Sequence, residues 1–241
     1  MKNYNKQSAH DKKVKEYEKI NGKEESIKEH KAINGKEEIK IEEISKRNEK
    51  DSLEKLQSAR VCILGAGGLG SNIAVMLARS CVGTIHIVDF DEVDISNLNR
   101  QYYFINDIGK KKTEAIKNII ENINPFVKVE TENIKVTQEN IGRILKGENI
   151  IVEAFDRAET KAMVVNEVLE NHPEKIIISG SGMAGIGNGN DMKTRKVSEK
   201  LYICGDGYSD YEECRGIMSP RVNICAAHQA NTAIRLILGE L

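Results

Sequence analysis

The chain has 241 residues, of which 30% are charged and 5% are aromatic, and it contains no Trp. Residues 1–50 carry 14 basic and 11 acidic side chains, whereas the other 191 residues carry 22 basic and 26 acidic ones. The later part therefore has the charged fraction of an ordinary globular domain and is long enough to bury a core. Its net negative charge argues against general binding to nucleic acid, and no apolar run approaches the roughly 18 residues of a membrane span.

The N-terminus and the cysteines predict a compartment. The first residues, MKNYNKQSAHDKK, lack the apolar run of a secretory signal. The five Cys residues are an odd number and are scattered along the chain, which does not fit a disulfide framework. We therefore expect a cytoplasmic protein.

Residues 1–40 form a charged, low-complexity tail in which the hexapeptide Ile-Asn-Gly-Lys-Glu-Glu occurs at 20–25 and again at 33–38. Two copies are too few for a stacked-repeat architecture. Apolar side chains are too sparse to offset the entropy lost on ordering, so we expect a disordered or partly helical extension. A docking segment for another subunit is the alternative. The apolar spacing changes near Ile41, and we expect residues 41–241 to form the folded domain.

Beyond the tail, short apolar runs alternate with segments of helical spacing. In chain order, the pattern predicts strands at 60–65, 84–88, 127–134, 149–152 and 175–179, and helices at 68–80, 110–122, 140–146, 160–170 and 220–238. Strands that alternate with helices pair in parallel, so we expect an α/β fold with a mostly parallel central sheet in a three-layer sandwich. The Gly-rich stretch 180–220 breaks this rhythm, and we expect it to be an excursion at the edge of the sheet.

A glycine-rich turn joins the first predicted strand to the first predicted helix. Its sequence, GAGGLG, fits the G-x-G-x-x-G pattern of Rossmann-like nucleotide sites. Glycines at Gly65, Gly67, Gly68 and Gly70 allow the backbone to approach a phosphate, which lies at the positive helix N-terminus. Asp89 follows at the end of the second strand, where an acidic side chain hydrogen-bonds ribose hydroxyls.

Charged side chains further along favour a reaction at a triphosphate over redox chemistry. Arg100 belongs to the segment SNLNRQ, and Lys112 ends the run GKKK. Pre-placed cations stabilise the charge that develops on a leaving pyrophosphate. Asp156 ends a later strand, and one carboxylate with phosphate oxygens is a usual Mg²⁺ site. The alternative is that these residues have no role in binding. Arg100 and Lys112 would then be surface residues, and Asp156 would cap a helix.

The ordered set of motifs resembles the ThiF/MoeB family, the bacterial relatives of ubiquitin-activating enzymes. The resemblance runs from about Arg47 to the C-terminus. It rests on GAGGLGS at 65–71, DFDEV at 89–93, SNLNRQYYF at 96–104, GKKK at 109–112, INP at 123–125, EAFDRAETK at 153–161 and PRVNICAAHQANTAIRLILG at 220–239. The segment SNLNRQ and the short C-terminal end are most similar to the compact ThiF proteins of thiamine synthesis.

The resemblance implies an activity, cofactors and a partner. Members of the family use ATP with Mg²⁺ to adenylate the C-terminal glycine of a small ubiquitin-like carrier that ends in Gly-Gly, and they release pyrophosphate. For ThiF the carrier is the sulfur carrier ThiS of thiazole synthesis, so ThiS is the expected partner. The resemblance also implies a Rossmann-like sandwich of ThiF/MoeB type and a homodimer.

The resemblance assigns nucleotide contacts by position. The four glycines of the turn would cradle ATP, and Asp89 would hold its ribose, with Asp91 beside it in the nucleotide site. Contacts to the phosphates would come from Asn97, Arg100, Gln101 and Lys112.

Two further roles follow from the resemblance. Asp156 would bind Mg²⁺ and is the candidate for the essential acid. Arg47 would contact the phosphates, as an upstream arginine does in relatives across the dimer, although its spacing differs from that of longer relatives. A solvated arginine is the alternative for Arg47.

Four of the five cysteines have an expected role, three as buried residues and one as a reactive residue. The chain has no C-x-x-C pair, so the structural zinc of many relatives is not expected. Cys62 is expected in the core, and Cys81 and Cys225 are expected to pack against helices. Cys214 is similar in position to the ThiF cysteine that forms a covalent link to the carrier, and a loop cysteine without chemistry is the alternative.

Other functions remain open at this point. The acceptor could be a molybdopterin-synthase carrier, or a tRNA threonylcarbamoyl-adenosine, as for the related cyclase. From other classes, the chain could be an NAD-binding oxidoreductase or a non-catalytic scaffold. The glycine-rich residues 180–189 could form a wall that admits the diglycine tail of a carrier.

Overall fold

A seven-stranded sheet organises the chain in the computed structural model, which describes residues 39–214 and 216–241. The strands are β1 (Arg60–Leu64), β2 (Thr84–Asp89), β3 (Lys128–Asn133), β4 (Ile150–Glu153), β5 (Ile176–Gly180), β6 (Lys193–Lys196) and β7 (Leu201–Gly205). Their order across the sheet is β3-β2-β1-β4-β5-β7-β6. Every neighbouring pair is parallel except β6 and β7 at one edge.

Helices cover both faces of this sheet. They are α1 (Ile41–Ile44), α2 (Leu53–Ser58), α3 (Gly68–Arg79), α4 (Lys112–Ile123), α5 (Ile141–Ile144), α6 (Ala158–Asn171), α7 (Tyr211–Cys214) and α8 (Ser219–Leu238). Apolar side chains of α3, α4 and α8 pack in one core cluster, and those of α5 and α6 pack in a second cluster on the other face. The expected three-layer sandwich with a mostly parallel sheet is confirmed.

The alternation of side chains along β1 shows why helices must cover both faces of the sheet. Val61 and Ile63 contribute to the first cluster, and Cys62 and Leu64 contribute to the second. All four are fully buried. A strand with apolar residues on both faces is stable only when helices shield both sides, as they do in parallel sheets.

The position of β1 and β4 determines where a ligand can bind. From β1 the sheet grows in one direction through β2 and β3, and from β4 it grows in the other direction through β5 and β7. The connections leaving β1 and β4 therefore separate at their carboxyl ends. Such a switch point leaves a crevice, which is the usual ligand site of open α/β sheets.

The stretch 180–220 is more regular than its composition suggests. It contributes β7, which pairs in parallel with β5, and β6, which extends the sheet by one antiparallel strand. All four residues of β6 are exposed, and they read Lys-Thr-Arg-Lys. The strand therefore lacks the apolar alternation that would reveal it, and its cations protect an edge against unwanted pairing.

The segment before β1 is held against the folded unit. Leu56 is buried, and its carbonyl accepts a hydrogen bond from the Gly83 amide at 2.8 Å. Lys55 donates to the carbonyl of Leu238 near the end of α8 at 2.9 Å. One compact unit spans Lys40–Leu241. The expectation for residues 1–40 falls almost entirely outside the described residues, and across 39–214 and 216–241 no helix combines the length and apolarity needed to cross a membrane.

Candidate functional site

A cavity of about 270 Å³ lies at the switch point, and we call it the inner cavity. It opens at the carboxyl ends of β1, β2 and β4. The sequence had singled out nine of the residues that line it, namely Gly65, Gly67, Gly68, Asp89, Asp91, Arg100, Gln101, Lys112 and Asp156. The fold therefore brings together residues that lie up to 91 positions apart in the chain.

The glycines of the turn have separate tasks. Gly65 has a positive φ of +97°, which L side chains rarely adopt. A methyl group on Gly70 would lie 1.8 Å from the Gly65 carbonyl oxygen, so this glycine permits α3 to pack against the end of β1. At Gly67 the nearest atom to such a methyl would be Gln101 Nε2, 4.0 Å away. Gly67 therefore keeps space open in the cavity, next to the N-terminus of α3, where amides and the helix dipole favour an anion.

Asp89 is fixed at the base of the inner cavity. Its Oδ2 accepts a hydrogen bond from the Ala66 amide at 2.6 Å, and its Oδ1 accepts one from the Asp91 amide at 2.7 Å. Burial raises the pKa of the Asp89 carboxyl above its usual value, although these two amides oppose the shift. The carboxylate thus connects the glycine turn to the end of β2, and Asp89 lines the inner cavity.

Lys112 is a buried cation that lines the same inner cavity. Lys112 is 6% exposed, and its Nζ lies 2.7 Å from Asp91 Oδ2, whose side chain is about half exposed. The backbone strengthens this placement, because the Lys112 amide donates to the Asp91 carbonyl at 2.9 Å. The helix predicted from 110 begins at Lys112, so the last lysine of the run is the one that enters the cavity.

Arg100 and Gln101 present polar atoms from the segment after β2. Arg100 Nη1 donates to the carbonyl of Ser96 at 3.2 Å and to Asn99 Oδ1 at 2.8 Å. Gln101 is buried, and its Oε1 has no hydrogen-bond partner among the residues of the described chain. A buried amide oxygen without a partner is costly, so a ligand donor in the cavity would remove that cost.

Asp156 lies on the boundary between the inner cavity and a second, larger one. The second cavity, which we call the outer cavity, has a volume of about 980 Å³. The two cavities share Arg100, Phe155, Asp156, Arg157, Met183 and Ile217. Asp156 is exposed, and within 39–214 and 216–241 it makes no hydrogen bond or ion pair. It does not cap α6, which begins at Ala158 without a side-chain cap.

A buried ion pair that was not predicted from the sequence, between Glu153 and Lys161, lies at the end of β4, three residues before Asp156. Glu153 is fully buried and accepts from Lys161 Nζ at 2.6 and 2.8 Å, from Ser179 Oγ at 2.5 Å and from the Phe155 amide at 2.7 Å. The charge is thus satisfied by partners from β5 and α6. The signal was present in the segment EAFD, whose first acid ends β4.

The outer cavity has loop walls that are joined by a second buried ion pair. Its walls come mainly from residues 180–184, 207–211 and 216–218. Arg221 in the first turn of α8 pairs with Asp206 and donates from Nη1 to the Asn188 carbonyl at 3.1 Å. Asp206 Oδ1 accepts from the amides of Tyr208 and Ser209, both at 2.9 Å. The spacing of residues in the sequence does not predict this pair. Asp206 and Arg221 lie on segments that approach each other only in the folded chain.

The ThiF family profile matches residues 37–240. This chain belongs to the ThiF family. The match covers well over half of the sequence and includes every element of the sheet, so the resemblance drawn from the motifs is confirmed at the level of the family.

Two curated ThiF relatives illustrate the range of named activities. The tRNA threonylcarbamoyladenosine dehydratase of Haemophilus influenzae is 34% identical over 134 residues, which cover 55% of this chain and 51% of that protein. A probable molybdopterin-synthase adenylyltransferase of Porphyra purpurea is 33% identical over 200 residues, which cover 77% of this chain and 50% of that protein. The chain thus spans about half the length of these relatives.

A solved structure shows the same fold. The crystal structure of the Escherichia coli tRNA N6-threonylcarbamoyladenosine dehydratase TcdA in complex with ATP superposes with a TM-score of 0.73 and 20% identity. The match covers 82% of this chain and 93% of that one.

Four residues that the family resemblance had assigned to the site do not line either cavity. Gly70 instead packs α3 against the end of β1. Asn97 uses its Oδ1 to accept from the Asp94 amide at 3.1 Å, which caps a short 3-10 helix. Arg47 is exposed in the turn after α1. Cys214 is exposed and ends α7, a single helical turn where a loop was expected. Cys62, Cys81 and Cys225 are buried, as expected.

Proposed function

We propose that the chain is an adenylyltransferase that activates the C-terminal glycine of the ubiquitin-like sulfur carrier ThiS, consuming ATP and releasing pyrophosphate. The observation that carries this proposal is the position of Asp156. Its carboxylate lies between an inner cavity with nucleotide-binding features and an outer cavity large enough for an extended peptide end. A transfer enzyme needs such an arrangement, because donor and acceptor must meet at one point.

ATP is the proposed occupant of the inner cavity. The N-terminus of α3 and the open side of Gly67 suit a phosphate, and Asp89 suits ribose hydroxyls. Arg100 and Lys112 add the cations that a triphosphate requires. Family membership supports this assignment, and so does the name adenylyltransferase of the Porphyra relative.

Mg²⁺ is the proposed metal cofactor. Asp156 supplies a hard oxygen ligand where the two cavities meet, and its carboxylate forms no ion pair with a cation among the side chains described here. Asp156 would therefore hold the ion together with phosphate oxygens. Bound there, Mg²⁺ neutralises charge on the phosphates.

The chain's own residues then align and stabilise a direct displacement. A carboxylate oxygen of the acceptor glycine forms a bond to the α-phosphorus, and the bond from this phosphorus to the oxygen bridging to the β-phosphate breaks. The electron pair leaves with pyrophosphate, whose charge Arg100 and Lys112 stabilise. No protein nucleophile takes part in this step.

The remaining site assignments are proposals of the same kind. Asn97 and Arg47 would need to reach the phosphates from outside the cavity, Arg47 from across a homodimer. The Cys214 thiolate would link covalently to the carrier by attacking the carbonyl carbon of its adenylate, and the bond from this carbon to the AMP oxygen would break as AMP leaves. We propose a cytoplasmic location and a tail over residues 1–40 that lies outside the catalytic domain.

A second acceptor has support from the comparisons. The Haemophilus relative is named for a modified adenosine of tRNA, so a tRNA carboxylate is the alternative substrate for the same chemistry. The acidic character of the domain does not favour a tRNA surface, since nucleic-acid binders present basic faces.

Isotope exchange between pyrophosphate and ATP distinguishes these acceptors. The full chain is incubated with labelled pyrophosphate, ATP and Mg²⁺, and with ThiS, a molybdopterin-synthase carrier, modified tRNA or no acceptor. We expect exchange only with ThiS, because the back reaction requires its adenylate. Exchange with another acceptor alone would replace ThiS, and no exchange with any acceptor would overturn the proposed activity.

A further inference from the structure

A buried group of three potential metal ligands lies away from both cavities. Cys62 on β1, His86 on β2 and Glu148 just before β4 each place one ligand atom within 4.8 Å of the others. They are 0%, 6% and 2% exposed. Cys62 and His86 are register partners on adjacent parallel strands, so the sheet itself sets their separation. None of the three lines the inner or the outer cavity.

The group has unused coordinating capacity. Glu148 Oε1 lies 3.0 Å from Arg60 Nη2 and 3.5 Å from His86 Nδ1. Glu148 Oε2 is buried and has no hydrogen-bond partner in the part of the chain that the structure describes. A buried carboxylate oxygen without a partner costs free energy that an electropositive ligand would recover.

The histidine is also oriented as a metal ligand. While Nδ1 faces Glu148, Nε2 lies 3.3 Å from Glu132 Oε1. A carboxylate that accepts from the far nitrogen of an imidazole fixes its tautomer and makes the near nitrogen a better ligand. Glu132 is itself held by Arg143 Nη2 at 2.8 Å.

We propose that Cys62, His86 and Glu148 form a site for a divalent transition-metal ion, with Zn²⁺ as the best match. The donor set of one sulfur, one nitrogen and one oxygen suits Zn²⁺ and not Mg²⁺ or Ca²⁺, which prefer oxygen. On binding, the Cys62 thiol loses its proton to solvent, and the thiolate and Glu148 balance the charge of the ion. Three protein ligands leave one tetrahedral position for water.

This site differs from the zinc site that the sequence argued against. That expectation concerned C-x-x-C pairs, whereas these ligands come from two adjacent strands and the segment before a third, and they could be found only from the fold. The ion would connect β2, β1 and β4 and would stabilise the folded state by linkage. Access is possible beside Arg60 and Glu132, whose side chains are 36% and 26% exposed.

Cobalt titration tests the proposal without ATP or any acceptor, so its outcome is independent of the proposed function. Metal-stripped full chain is titrated with Co²⁺ and followed by absorbance. We expect one equivalent to give tetrahedral visible bands and a near-ultraviolet thiolate-to-cobalt band, both removed by Zn²⁺. Absence of the thiolate band in folded wild-type protein would overturn the site and leave a buried ionic network.

Variants locate the sulfur ligand. Cys62→Ser should lose the thiolate band, whereas the control variants Cys225→Ser and Cys214→Ser should keep it. Glu132→Gln should keep the band but weaken Co²⁺ affinity by about 10- to 100-fold, as expected for a group that orients a ligand. Circular dichroism of the metal-free proteins verifies folding. A band that persists in Cys62→Ser would contradict the proposal.

Discussion

Asp156 is the residue whose chemical role can be separated most cleanly from folding. It is exposed and unpaired across the described residues, so Asp156→Ala should change stability by no more than about 0.5 kcal/mol. Under the proposed function, pyrophosphate exchange should fall by about 100- to 1,000-fold or more, because charge on the phosphates loses its metal ligand. Glu170→Ala, an exposed acid near the end of α6, is the matched control. Near-normal exchange in Asp156→Ala would remove its assignment.

Lys112 and Lys111 offer a second comparison at this scale. Lys112 is buried against Asp91 in the inner cavity, whereas its neighbour Lys111 is exposed and lines neither cavity. We expect Lys112→Met to lower the rate of exchange by about 100-fold and Lys111→Met to leave it nearly unchanged. Steady-state rates at saturating ATP measure this difference. Equal losses in both variants would show that only the general charge of the lysine run matters.

The position of a single residue in the site was predictable from the sequence where the residue belongs to a motif. Contacts between residues of different loops were not predictable. The spacing from the glycine turn located Asp89, and the strand end located Asp156. Spacing could not show that the Asn97 side chain completes the capping box of a 3-10 helix. Nor could it pair Asp206 with Arg221, since that contact depends on how two loops approach the start of α8.

At the scale of elements, the glycine turn predicts opposite effects for two similar substitutions. A methyl at Gly70 would overlap the Gly65 carbonyl oxygen, so Gly70→Ala should separate α3 from β1 and destabilise the fold by several kcal/mol. A methyl at Gly67 would enter the cavity with no protein atom closer than 4.0 Å. Gly67→Ala should therefore fold normally and weaken ATP binding at least tenfold.

Thermal denaturation and calorimetric ATP titration measure the two effects. The two variants serve as controls for each other, because the chemical change is the same. If Gly67→Ala bound ATP as well as the wild type does, the phosphate would not lie against this turn.

The elements themselves were predictable to the extent that burial shaped their sequences. The five predicted strands were confirmed because each is an apolar or alternating run between turns. The edge strand β6 was missed because all its residues face solvent, and β7 was missed because its apolar run lies inside a glycine-rich stretch. Edge geometry, and not burial, determines β6, whereas β7 is a mostly buried internal strand.

At the scale of the whole molecule, an ion-pair cluster at the N-terminal end of the strands predicts an acid-sensitive fold. The Arg60 guanidinium, and after it Lys128, lower the pKa of Glu130 from 4.5 to about 2. A carboxyl with a depressed pKa in the folded state stabilises it above pH 4.5, and this contribution is lost as the pH falls toward 2.

Urea denaturation between pH 7 and pH 2 in chelator measures this contribution. The free energy of unfolding of the wild type should fall more steeply below pH 4.5 than that of Glu130→Gln. Glu199→Gln, which alters an exposed pair with Lys196, should follow the wild type. Parallel curves for the wild type and Glu130→Gln would show that the ion pair adds nothing to stability.

The first turn of α8 touches both cavities. Arg221 anchors the loops of the outer cavity, and the next residue, Val222, lines the inner cavity, where a methyl on Gly68 would lie 3.2 Å from its Cγ1. Under the proposed function, any shift of this turn would therefore change nucleotide binding and acceptor binding together. By thermodynamic reciprocity, the factor by which bound nucleotide alters acceptor affinity equals the factor by which bound acceptor alters nucleotide affinity. An ordered sequence of substrate binding would then need no moving domain, only one helix end shared by two ligands.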